Sequence, residues 1–205
     1  LAALDTLSGA CFAVASVQAA AQRTMPPALL ASSIVTLKAG EEAPLDELTH
    51  RLTDAGYERC SQVEGMGQFS VRGGILDIFP PQAEHPYRVE FWDDEIDSIS
   101  TFDVGSQRRL EQCETLRYLP CMEALPSLAK GGAAGLAKAV AALASSRRKK
   151  QHAELQKNLE RDAERLRESG TLPAADKYLP LIYPQMATAF DYLPENTLIL
   201  IEDTP

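Results

Sequence analysis

QFSVRGGILDIFPPQAEHPYRVEFWDDEIDSISTFDVGSQRR, residues 68–109, shows the clearest alternation of apolar and polar side chains in this chain. Tyr87–Trp92 and Glu95–Phe102 each alternate with a period of two, which is typical of strands with one buried face. Asp93-Asp94 between them and Pro80-Pro81 before them are turn residues. Gly73-Gly74 predicts a bulge or a sharp bend in the first run. The segment therefore predicts an antiparallel meander.

Three large side chains of this segment are predicted to face solvent. In strands that bury their apolar residues, Arg88 and Trp92 lie on the opposite face, and so does Arg72 in the preceding run. Arginine and tryptophan often dominate the binding energy of protein interfaces. The alternative is cross-strand pairing of the arginines with Glu90 or Asp94, which contributes little at a surface. On the residues alone, this alternative is favoured.

A helix is predicted over Pro44–Ala55, where Leu45, Leu48 and Leu52 form an apolar stripe. Gly56 follows at the position of a C-terminal cap glycine. We expect this helix to cover the apolar face of the meander and to complete a small α+β domain. Further strands are predicted at Ile34–Leu37, Tyr57–Val63 and Thr115–Leu119.

The flanking regions predict a second, partial α/β domain. Apolar runs at Ala10–Val17 and Thr197–Ile201 predict buried strands. Glu123–Gly135 has the composition of a flexible linker. Leu136–Glu168 predicts two helices or one bent helix around the basic run Arg147–Lys150. A solvated helix end is favoured for that run over a contact with DNA phosphates.

Charge and cysteine usage limit the class of protein. The net charge is −9, and Ile34–Pro126 carries about −10, so the surface as a whole does not resemble a nucleic-acid footprint. The four cysteines form no CxxC and no histidine has zinc-like spacing, which argues against a metal site and suits a reducing cytosol. No signal peptide is visible, and no apolar run approaches the ~20 residues that cross a bilayer. We expect a cytoplasmic protein.

The sequence contains no catalytic constellation, so we predict a protein-binding module that is not an enzyme and holds no cofactor and no metal. Gly131–Gly135 precedes a helix but lacks the Gly-Lys-Ser/Thr of a phosphate loop. The carboxylates of Asp93–Asp97 match no metal motif and are expected to be solvated turn residues. Asp77, between apolar neighbours, is expected to face Arg72 or a turn amide.

Several motifs together resemble a known family. FSVRGGILDIFPP at 69–81, PYRVEFWDDEIDSISTFD at 86–103 and SQR at 106–108 are similar to the second domain of bacterial transcription-repair coupling factors. The pattern is shared with UvrB, the excision-repair subunit, but the SQR and PYR elements favour the coupling factors. FDYLPENTLILIED at 190–203 resembles the end of the UvrB-like N-terminal module of that family.

The resemblance implies a fragment of a split domain. Residues 1–33 would be the C-terminal part of a degenerate helicase-like domain 1a, residues 34–120 the inserted domain 2, and residues 121–205 part of domain 1b. In this family the module has lost ATP binding. The ATP- and Mg-dependent hydrolase motor, which translocates on DNA and displaces stalled RNA polymerase from lesions, lies in other parts of the protein.

The resemblance also implies a partner and its contact residues. Domain 2 of the family binds UvrA through two arginines and an aromatic residue, which fall on Arg72, Arg88 and Trp92. The family usually has phenylalanine where Trp92 stands. The C-terminal domain of the resting full-length protein covers domain 2. The alternatives to a UvrA-recruiting fragment of a coupling factor are the corresponding fragment of UvrB and a nucleotide-hydrolysing fragment.

Overall fold

In a computed structural model, which describes residues 1–9, 11–146 and 153–202, helices lie toward both ends of the chain, and the strands lie between them with one helix after the first strand. The helices are α1 Ala2–Leu7, α2 Val17–Ala20, α3 Pro27–Ser33, α4 Leu45–Asp54, α5 Gly132–Ser146, α6 Ala153–Ser169 and α7 Leu179–Ile182. The strands are β1 Val35–Lys38, β2 Glu58–Arg59, β3 Gln68–Arg72, β4 Ile75–Ile78, β5 Tyr87–Trp92, β6 Glu95–Phe102, β7 Arg109–Cys113 and β8 Thr115–Tyr118. Short 3₁₀ helices span Pro126–Leu128, Ala175–Tyr178 and Ala189–Tyr192.

Six strands form one sheet in the order β2-β3-β4-β5-β6-β7. All neighbours from β3 to β7 are antiparallel, which confirms the predicted meander, whereas the short β2 pairs parallel with β3. β1 and β8 form a separate antiparallel pair. That pair brings the two ends of segment 35–118 side by side. The mixed helices and antiparallel sheets agree with the predicted fold class.

One hydrophobic core lies between the meander and α4, as predicted. Leu48 and Leu52 of α4 are buried in it together with residues of β1, β3, β4, β5, β6 and β8. Pro44 precedes the helix, and Asp46 and Glu47 stand in its first turn, where acidic side chains are favoured by the helix dipole. The helix therefore forms where the sequence places both its apolar stripe and its start.

A second hydrophobic core joins the two flanking regions. It contains Met25 and Leu30 from the first region together with buried residues of α5, α6 and the segment that follows them. The Tyr192 hydroxyl donates a hydrogen bond to the Met25 carbonyl at 2.7 Å. Residues that are far apart in sequence thus pack together. The buried side chains of segment 35–118 form the other core and a small third cluster of Val63, Phe79 and Phe102.

The predicted bend at Gly73-Gly74 is a hairpin turn. β3 and β4 are separate antiparallel strands, with Arg72 paired to Ile75 across the two glycines. Gly73 adopts φ +60°, a conformation that glycine reaches without steric cost. Of the two predicted alternatives, a bulge or a sharp bend, the structure therefore shows the bend.

Both predicted buried strands of the flanking regions are wrong. Residues 11–16 form neither strand nor helix, and Phe12 and Val14 are strongly exposed. Thr197–Ile201 is equally irregular, with Leu198 and Leu200 exposed. A strand needs a neighbour for its backbone hydrogen bonds, and neither segment pairs with another strand in the described part of the chain.

The predicted linker Glu123–Gly135 is also wrong, because most of it is packed. Ala124, Leu125 and Ala129 are buried in the core of the flanking regions, and α5 begins within the segment at Gly132. A side chain at Gly135 would collide with the carbonyl group of Lys130. The glycine here permits close backbone approach rather than flexibility. The helices α5 and α6 match the two-helix prediction, while Arg147–Lys150 between them lies outside the described residues.

Candidate protein-docking face

The strand register places Asp77 beside the two predicted arginines. Asp77 pairs with Ser70 of β3 on one side and with Arg88 of β5 on the other. Arg72 lies two residues beyond Ser70, and side chains two residues apart in a strand share a face. The face of the sheet opposite the core therefore carries one carboxylate between two guanidinium groups.

Both arginines bind the same carboxylate. Arg88 donates from Nε to Asp77 Oδ1 at 2.7 Å and from Nη2 to Oδ2 at 2.9 Å. Arg72 donates from Nη2 to Oδ2 at 2.8 Å. The arginines pair with Asp77, whose side chain is only 1% exposed, and not with Glu90 or Asp94. For Arg72 this confirms the expectation that Asp77 faces it.

The two arginines differ in exposure, which corrects the prediction that all three site residues face solvent. The Arg72 side chain is 47% exposed. The Arg88 side chain is only 16% exposed, because it lies over the Phe102 ring at 4.6 Å and beside Gln107. Its hydrogen bonds to Asp77 raise the pKa of the Arg88 guanidinium above its ordinary value. Sequence alternation predicted the face correctly but not the loop that covers part of it.

Trp92 stands at the end of β5, directly before the turn Asp93-Asp94, and is 81% exposed. The register shifts between Glu90 and Phe91, which keeps Phe91 and its partner Ile96 against the core. Trp92 consequently lies on the face opposite the core. The Phe91 amide also donates to the Gly74 carbonyl at 2.8 Å. Trp92 therefore lies at the same end of the sheet as the hairpin turn that follows Arg72.

Glu90 extends the charged face toward the edge strand β7. It accepts hydrogen bonds from Arg109 at 2.7 Å and from Ser98 at 2.9 Å. These two bonds, that from Arg109 first, lower the pKa of the Glu90 carboxyl below its ordinary value. No pattern within the segment predicts Arg109 in this role, because Arg109 reaches Glu90 only through the pairing of β7 with β6 and of β6 with β5.

The face offers exposed arginine side chains, Arg72 and Arg109, and one exposed aromatic ring, Trp92. A cavity of about 610 Å³ opens elsewhere, beside α3 and the ion pair of Asp5 with Arg117, and none of the three predicted residues lines it.

Within the described residues, no group of three or more His, Cys, Asp and Glu side chains could hold a metal ion. None of the described helices has the length and apolar character that a bilayer crossing requires.

Comparison with known proteins identifies the segment that forms this face. Residues 35–123 match the family model described as the UvrB interaction domain. The chain is 37% identical over 190 residues to the transcription-repair-coupling factor of Bacillus subtilis, a match that covers 90% of this chain and 16% of the relative. The corresponding factor of Escherichia coli is 36% identical over 184 residues, covering 87% of this chain and 15% of the relative.

The chain belongs to the transcription-repair-coupling factor family. The factor of Haemophilus influenzae agrees, with 37% identity over 180 residues that cover 87% of this chain and 15% of the relative. The chain thus spans about a sixth of the length of these relatives. Arg72, Asp77, Arg88 and Trp92 all fall within the range that matches the UvrB interaction domain.

Proposed function

We propose that this part of the coupling factor recruits UvrA through the face that carries Arg72 and Trp92. One observation carries the proposal. An 81% exposed tryptophan, Trp92, and a half-exposed arginine, Arg72, lie at the same end of the sheet in the UvrB interaction domain. An indole exposed to this extent contributes little to the fold, whereas burying it in a partner's apolar pocket would favour association.

The chemistry of the face indicates what the partner presents. Arg72 uses one nitrogen for Asp77 and keeps other donors for an acceptor such as a partner carboxylate, which arginine binds with defined geometry. Trp92 offers a flat apolar surface of the kind that anchors interfaces. UvrA is therefore proposed to meet this face with an acidic group next to an apolar pocket.

The remainder of the proposal follows the family. Residues 1–33 and 121–205 would belong to a split helicase-like domain into which residues 34–120 are inserted, and the adjacent ends of segment 35–118 suit such an insertion. ATP-driven translocation on DNA and displacement of RNA polymerase would be carried out in the cytoplasm by other parts of the full-length factor. Its C-terminal domain would cover the UvrA-binding face at rest.

Titration calorimetry of purified UvrA with this chain tests the proposal. We expect binding by the wild type and a loss of about tenfold or more in affinity for Arg72→Ala and for Trp92→Ala, because truncating an interface anchor costs on the order of 2 kcal/mol. Matched controls are Arg165→Ala and Met66→Ala, which remove exposed side chains of the same kinds elsewhere. Equal affinity of all five proteins would refute the proposed face.

A further inference from the structure

Asp77 is the one ionisable residue of the face that a partner cannot reach. Its side chain is 1% exposed, yet it accepts three hydrogen bonds from two arginines on the neighbouring strands β3 and β5. A buried carboxylate is costly unless it is paired and hydrogen-bonded. Asp77 therefore holds its arginines firmly.

Arg88 is committed to this carboxylate. Its Nε and Nη2 atoms both bind Asp77, and its Nη1 atom is 3.4 Å from the Gln107 carbonyl oxygen. Turning Arg88 outward to a partner would leave the Asp77 charge largely uncompensated in a buried position, which is strongly unfavourable. Arg72, in contrast, spends a single nitrogen on Asp77 and remains 47% exposed.

We propose that Asp77 and Arg88 form a positioning pair that fixes the Arg72 guanidinium in its binding orientation. A free arginine side chain loses conformational entropy when an interface orders it. Arg72 loses part of that entropy on folding, before the partner arrives. This inference rests on the proposed UvrA-binding face.

Replacing Asp77 distinguishes a positioning role from a purely electrostatic one, because the two predict opposite changes in UvrA affinity. Asp77→Asn removes a negative charge beneath the arginines, so charge alone would strengthen binding to an acidic partner group. Loss of the ionic hydrogen bonds frees Arg72, so positioning predicts weaker binding. We expect UvrA affinity to fall by up to about tenfold, which is the cost of ordering one long side chain at an interface.

The test measures UvrA affinity by calorimetry and the order of the Arg72 side chain by ¹⁵N relaxation of its Nε–H group in the free chain. In Asp77→Asn, Arg72 Nε is expected to become as mobile as that of the exposed Arg165, and affinity to fall. Glu111→Gln, on the exposed face of β7, makes the same change in net charge and should alter neither quantity. A melting curve verifies that each variant is folded at the temperature of the measurements.

Arg88→Lys provides a second variant should Asp77→Asn fail to fold. Lysine keeps the positive charge but cannot reproduce the two-nitrogen grip on Asp77, so Arg72 should again become mobile and affinity should fall. Unchanged Arg72 order in the folded variants, or unchanged or increased affinity in Asp77→Asn, would overturn the positioning role. If wild-type chain does not bind UvrA, the proposed function fails, and the Arg72 relaxation data still decide whether Asp77 orders that side chain.

Discussion

At the scale of single residues, Trp92 and Phe102 show how one sheet face serves two purposes. Both are large aromatic residues at strand ends, but Phe102 is fully buried beneath Arg88 whereas Trp92 is 81% exposed. Burial of Phe102 contributes to folding, and exposure of Trp92 leaves its apolar area available to a partner. The two rings are therefore expected to respond differently to truncation.

Phe102→Ala is expected to lower the free energy of unfolding by about 3–5 kcal/mol, which is typical of a buried aromatic residue. Trp92→Ala should change it by no more than about 0.5 kcal/mol. Urea denaturation followed by circular dichroism measures both. A large loss of stability in Trp92→Ala would mean that this ring is part of the fold and not a free binding element.

The lowered pKa of Glu90 leads us to expect that the stability of the protein depends on pH. Because its folded-state pKa lies below the ordinary value of 4.5, ionised Glu90 stabilises the folded protein above that pH, and the contribution disappears as the pH falls through the folded-state pKa. Wild type should therefore melt at a higher temperature than Glu90→Gln near neutral pH, and the difference should shrink below pH 4.5. A difference that stays constant from neutral to acidic pH would show that the Arg109 and Ser98 bonds do not act through the charge.

The sequence predicts the position of Arg72, Arg88 and Trp92 on one face but not the burial of Arg88. Alternation within a strand decides which way a side chain points. It does not reveal that Gln107, from a loop nineteen residues later, lies beside Arg88. Nor does it reveal that Asp77 accepts hydrogen bonds from arginines of two different strands. Such pairings depend on register, which single residues do not encode.

At the scale of elements, the hairpin turn Gly73-Gly74 connects β3 to β4 directly after Arg72 and lies against β5 at Phe91. A Cβ at Gly74 would lie 3.0 Å from the Phe91 carbonyl oxygen, whereas one at Gly73 would meet nothing within 4 Å. The first glycine is thus needed for its conformation and the second for its size. This distinction is visible only once the turn is known to be a hairpin.

Gly73→Ala should destabilise the protein by about 1 kcal/mol, because its φ of +60° is unfavourable for alanine. Gly73→Asn should cost less, because asparagine tolerates this conformation. Since no side chain crowds the position, the difference between the variants reports backbone conformation alone. Equal melting temperatures for the alanine variant and the wild type would contradict the assigned turn.

Elements with their own local signals were predicted well, and those that depend on distant partners were not. α4 carries its apolar stripe and its flanking Pro44 and Gly56 within one short segment. Thr197–Ile201 is as apolar as a buried strand, but its backbone finds no pairing strand among the described residues. Apolar character favours burial, and only the rest of the structure decides whether burial is available.

At the scale of the whole molecule, segment 35–118 and the flanking regions each have a separate hydrophobic core. Segment 35–118 forms the sheet that carries the proposed docking face, and the flanking regions pack with one another around α5 and α6. The pairing of β1 with β8 holds the ends of the segment together. The proposed docking face therefore belongs to a sheet whose fully buried core side chains all come from segment 35–118.

The accessibility of Trp92 tests the central claim most directly, because it is the only tryptophan in the chain. Its fluorescence can be quenched with acrylamide in the free chain and in a mixture with purified UvrA, with Trp92→Phe in the same mixture as the blank for tryptophans of UvrA. The account predicts strong quenching in the free chain and protection of Trp92 when UvrA is bound. Binding of UvrA with Trp92 still fully quenched would place the interface elsewhere and contradict the account.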